Sequence, residues 1–77
     1  MENIPVSFEC EGKAYNGFLS AVCGAGTQVY HLMVDNFYNG RLRLTDRYGW
    51  VFDSTPKTES FKGLTDYFSD VVVAWYE

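Results

Sequence analysis

Residues 4–10, IPVSFEC, alternate in character. Ile4, Val6, Phe8 and Cys10 point one way; Pro5, Ser7 and Glu9 point the other. A period of two predicts a half-buried strand. Pro5 has no N–H to give a neighbour, which places this strand at a sheet edge or starts it there. Glu11-Gly12 comes next as a two-residue turn, with Gly12 free to take positive φ. The second strand is KAYNGFLSAV, 13–22. With Glu11-Gly12 as the loop, Phe8 faces Tyr15, Val6 faces Gly17 and Ile4 faces Leu19. Apolar partners then meet on one face, which fixes the register.

The glycines of CGAGTQ, 23–28, break the strand pattern. VYHLMV, 29–34, resumes it with β-branched and aromatic residues. Tyr30, Leu32 and Val34 form one face, and Val29, His31 and Met33 the other. Both are largely apolar, so this strand belongs in the middle of the sheet. Two turns compete to end it. Asn39-Gly40 has the stronger turn chemistry, but it costs Val34 and Leu32 their parity unless a bulge intervenes. Asp35-Asn36 is preferred here. It keeps Met33 with Tyr38, and Val29 with Leu42, and it sets Gly40 opposite His31.

RLRLT, 41–45, reads as a strand with Leu42 and Leu44 inward and Arg41, Arg43 and Thr45 outward. DRYG, 46–49, is a turn; WVFD, 50–53, is a short fifth strand; STPKTES, 54–60, is a polar linker. From residue 61 the period changes. Phe61, Leu64, Phe68, Val71 and Trp75 recur at spacings of three and four, one stripe of an α-helix over 61–76. Gly63 costs roughly 1 kcal/mol inside a helix, which favours a regular start after it. The expected fold is therefore α+β: one small domain over 1–77, a five-stranded antiparallel β-meander over about 4–53, and a C-terminal helix packed across one face.

Composition sharpens this picture at two points. The chain is 47% hydrophobic and carries six Phe, six Tyr and two Trp, far from the makeup of a disordered segment. One sheet face under one helix cannot hide so many rings, so some are expected at the surface or shared with a partner. The net charge is −4, which works against general affinity for a polyanion. The chain has no run of 18 apolar residues, so no membrane span is expected. MENIPVSFEC lacks the basic and apolar regions of a secretory signal, and a cytoplasmic location is the expectation.

The chemistry-bearing residues are few. Two cysteines and one histidine do not make a zinc site, and no cofactor or metal is expected. In the first hairpin Cys10 lies beside the turn and Cys23 beyond the open end, roughly 30 Å apart along the strands. A disulfide needs Cα atoms within about 7 Å, so buried or half-buried free thiols are expected. Cys23 with His31 as base has no supporting motif. The GAG loop, 24–26, leads into a strand, whereas phosphate cradles lead into a helix. Asp66 and Asp70, four apart, read as a solvated helix face. Asp35, Asp46 and Asp53 read as caps of backbone N–H groups at turns and strand ends.

One stretch stands out, FYNGRLRLTDRYGW, 37–50. It holds every arginine of the chain, Arg41, Arg43 and Arg47, with Tyr38 and Tyr48 flanking them. Arg41 and Arg43 share a strand face. Basic strips with aromatic platforms bind single-stranded nucleic acid, but three charges on an acidic domain are few. Outward basic residues also prevent edge-to-edge aggregation. The sequence therefore reads as a non-catalytic protein-interaction module, with a protein partner or a homodimer. A weak single-stranded nucleic-acid or anionic-ligand site at Arg41, Arg43, Arg47, Tyr38 and Tyr48 is the alternative.

Overall fold

The computed structural model describes residues 3–24, 26 and 28–77. Five strands run in chain order: β1 Asn3–Cys10, β2 Lys13–Ala21, β3 Val29–Val34, β4 Phe37–Thr45 and β5 Gly49–Ser54. They form one antiparallel sheet of order β1-β2-β3-β4-β5, so β1 and β5 are its edges. A 3-10 turn, Glu59–Leu64, leads into α1, Thr65–Tyr76. This is the expected α+β meander with a C-terminal helix. Parts of the expected glycine loop, residues 25 and 27, lie outside the described residues.

The first hairpin has the expected register, with Ile4↔Leu19, Val6↔Gly17 and Phe8↔Tyr15. Glu11 and Gly12 take φ of 52° and 76°, as a two-residue turn between twisted strands requires. Asp35 and Asn36 make the second such turn, at φ of 54° and 66°. Val34 then meets Phe37, and Met33 meets Tyr38.

Beyond that point the expected β3–β4 register fails. It shifts between His31 and Met33, so Arg41 takes the place of Gly40 opposite His31, and Leu42 pairs with Tyr30 instead of Val29. The extra residue is a bulge in β4 around Asn39 and Gly40. The sequence pattern calls for a bulge only with the rival turn; the molecule uses the Asp35-Asn36 turn and a bulge together. The physical reason is the core: without the shift Leu42 would face away from Tyr30 and Leu32, and here it is buried with them. Gly40 suits the bulge twice over. Its φ is 138°, and a Cβ would run into the Phe52 ring.

The core lies between the sheet and the helix. It is built from Ile4, Val6, Phe8, Leu19, Tyr30, Leu32, Val34, Leu42, Phe52, Phe61, Phe68 and Val72. Phe68 is its centre, with no exposed surface. Its ring lies 5.2 Å from Phe8 on one edge strand and 5.3 Å from Phe52 on the other. The sheet thus curls around one side chain of α1.

Regular α-helix begins at Thr65, after Gly63 as expected, and the preceding turn is 3-10. The helical stripe needs one correction. Phe61 and Phe68 are buried as expected, but Trp75 is 48% exposed, and Val72 takes a core place. Trp75 is in phase with Phe68 but about 10 Å further along the axis. All of residues 73–77 are exposed, so the last turn of α1 overhangs the core. The polar linker also has a structural role. Thr58 is buried, and its hydroxyl donates to the Asn39 carbonyl at 2.8 Å, pinning the linker to the bulge.

Candidate functional site

The sheet face opposite α1 carries Met33, His31, Tyr38, Arg41 and Arg43. Pairing across β4 and β5 puts Asp53 directly opposite Arg41. The Asp53 carboxylate accepts from Arg41 Nη2 at 2.9 Å and from Arg43 Nε at 2.6 Å. A further bond comes from Arg41 Nε at 3.1 Å. One acid therefore holds two of the three arginines. The Arg43 hydrogen bond in particular keeps the Asp53 carboxyl below its ordinary pKa, with partial burial opposing the shift. In return Asp53 holds the Arg43 guanidinium still more firmly protonated.

This corrects the role assigned to Asp53, which engages arginine side chains in place of capping a turn. Counting outward from DRYG as a four-residue turn sets Asp53 across from Leu42 instead; in the structure Thr45 pairs with Gly49, and that tighter turn brings Asp53 opposite Arg41 on the same face.

The five residues that read from sequence as one strip separate into two groups. Tyr38 packs edge-on against His31, with ring centroids 5.1 Å apart, near the start of β4. Arg47 and Tyr48 lie past its other end, where the guanidinium sits 5.8 Å from the Tyr48 ring. Most of the length of β4, roughly 20–25 Å from Tyr38 to Thr45, separates Tyr38 from Tyr48. Tyr48 is 74% exposed.

The thiols are also apart. Cys10 is half-buried against the Ser60 carbonyl; Cys23 is exposed, which corrects the expectation that both would be at least partly covered. Position accounts for the difference in cover. Cys10 ends a strand packed under the 3-10 turn, and Cys23 sits on the loop after β2. Among the described residues, no group of three or more His, Cys, Asp or Glu side chains is gathered to hold a metal. Among them, too, no helix is long and apolar enough to cross a membrane.

A second region escapes the sequence pattern. Where α1 overhangs, Val73, Trp75 and Tyr76 stay exposed. Beside them a cleft of ≈ 610 Å³ is lined by Tyr30, Leu44, Trp50, Val72, Val73 and Tyr76, with Gln28 and Glu77 at its rim. Periodicity assigns Trp75 to the core because a helical stripe records direction and not length. No family model matches the chain, and neither does any curated protein or solved structure.

Proposed function

We propose that the chain is a non-catalytic protein-interaction module. The observation that carries this reading is the overhanging last turn of α1. Val73, Trp75 and Tyr76 are concentrated there beside an apolar cleft. Tyrosine and tryptophan offer large contact area with few rotors, and aromatic residues are enriched at protein interfaces. Anion binding through the arginines has weaker support. Asp53 already neutralises much of the Arg41 and Arg43 charge, and the chain is acidic overall.

The test is a peptide-display selection on the immobilised chain, counter-selected on Trp75→Ala/Tyr76→Ala. Sequences that bind the natural chain and not the variant are the expected result. No enrichment, together with a monomeric native mass at all concentrations, would overturn the reading.

A further inference from the structure

We propose that β5 is a docking edge for a second copy of this chain, pairing β5 with β5 across a two-fold axis. The proposal rests on the reading of an interaction module, but it concerns a surface separate from the helix overhang.

The register assigns the outward groups. The Leu44 N–H bonds the Gln28 carbonyl, so the even residues at this end of β4 turn their backbone toward β3. Arg41, Arg43 and Thr45 turn theirs toward Asp53, Val51 and Gly49. That leaves the N–H and C=O groups of Trp50, Phe52 and Ser54 facing away from the sheet. They border a groove of ≈ 610 Å³ whose one wall is Trp50, Val51, Phe52, Asp53 and Ser54, and whose other wall is Lys62, Thr65 and Asp66. A row of outward backbone groups is a template for an extended strand.

Two observations select a second copy presenting the same edge. First, β1 is closed to strand addition. Pro5 has no N–H, and the Tyr67 hydroxyl bonds both the N–H and the carbonyl of Ser7. A β5-to-β1 contact, which would propagate into a filament, is thereby disfavoured, and a β5-to-β5 contact closes at two. Second, the outer wall carries opposite charges four residues apart, Lys62 and Asp66, both exposed. A two-fold axis between them sets Lys62 of one copy toward Asp66 of the other, and the reverse. The wall is self-complementary, which offsets the mutual repulsion of two chains of net charge −4.

The contact is small. A six-residue strand spans roughly 20 Å, so the pairing falls below the usual interface of about 1,600 Å². Dimerisation is therefore weak and concentration-dependent.

The experiment is sedimentation velocity over a concentration series, on the natural chain, Lys62→Glu, Asp66→Lys and an equimolar mixture of the two variants. The natural chain should show a monomer–dimer equilibrium with no larger species. Each reversal alone should weaken the dimer about tenfold by creating like-charge contacts, and the mixture should restore it as a heterodimer. Both sites are exposed, and circular dichroism checks that each variant folds. A natural chain that stays monomeric overturns the proposal, as does a dimer indifferent to both reversals or a mixture that does not recover. A monomer whose Trp50, Phe52 and Ser54 amides gain protection from an added strand-forming peptide also overturns it, and makes an extended peptide the occupant. Peptides selected through Trp75 that still bind such a monomer would leave the module reading standing while this one fails.

Discussion

At β1, the outward backbone is closed by a residue without an N–H and by one hydroxyl from the helix. The Tyr67 hydroxyl donates to the Ser7 carbonyl at 2.6 Å and accepts from the Ser7 N–H at 3.4 Å. At β5, Trp50, Phe52 and Ser54 face a groove. The strand's added ties are charged and lie on the open sheet face, where Asp53 grips Arg41 and Arg43. The two edges are equivalent in the sheet diagram and opposite in chemistry. An edge is defined by what meets its backbone, and strand order alone does not say which edge will accept a partner.

Both edges nevertheless depend on one ring. Phe68 touches Phe8 and Phe52, so Phe68→Ala should loosen both sides at once. The expected cost is roughly 3–5 kcal/mol, a large part of the stability of so small a domain. Trp75→Ala, on the overhang, should cost about 1 kcal/mol or less. Urea unfolding of the two variants decides this. Equal losses would mean that the last turn packs as deeply as the middle of α1, and the curled sheet would lose its single pivot.

Much of this arrangement is legible in the chain. Alternation from Ile4 to Cys10 and the Glu11-Gly12 turn place the first hairpin to the residue, because one buried face admits one register. Asp35-Asn36 is the right turn for a related reason, the pairing of Met33 with Tyr38. The bulge that accompanies it is not legible. It answers to the later demand that Leu42 join Tyr30, which no local pattern states. Trp75 misleads for a geometric reason, since spacing gives the face of a helix and not where the sheet beneath it ends. The arginine strip reads as one surface because its residues are close in sequence. A strand carries Tyr38 and Tyr48 to opposite ends, and the acid that organises Arg41 and Arg43 comes from the neighbouring strand.

The closure of β1 can be removed without touching the core ring. Tyr67→Phe deletes the hydroxyl that serves Ser7 and keeps the aromatic contact with Phe68. The expected loss is about 1 kcal/mol, the usual net worth of a hydrogen bond. Amide exchange at Ser7 should quicken, while exchange along β5 stays as it was. If Ser7 exchange does not change, the hydroxyl is not what closes β1, and the contrast between the edges rests on Pro5 alone.

The smallest effect belongs to the charged tie of β5. Asp53→Asn removes the carboxylate shared by Arg41 and Arg43, which are left side by side. The site is partly solvated, so the loss at neutral pH should stay below about 1 kcal/mol and shrink in high salt. Its pH dependence has a definite sign. The folded-state pKa of Asp53 lies below the ordinary value, chiefly because of the Arg43 hydrogen bond. The stabilisation is therefore complete above the unfolded carboxyl value of about 3.9 and is lost as pH falls through the lower folded value. The stability gap between the natural chain and Asp53→Asn should hold steady from neutral pH to about pH 5, then narrow on further acidification. The deficit of Tyr67→Phe comes from hydrogen bonds to the Ser7 backbone, with no ion pair in them, so it should stay flat over the same range. A pH series of urea midpoints for both variants separates the neutral closure of β1 from the ionic tie of β5. Two flat gaps would mean that the Asp53 contacts contribute through packing, and that the two edges differ less in chemistry than their hydrogen bonds imply.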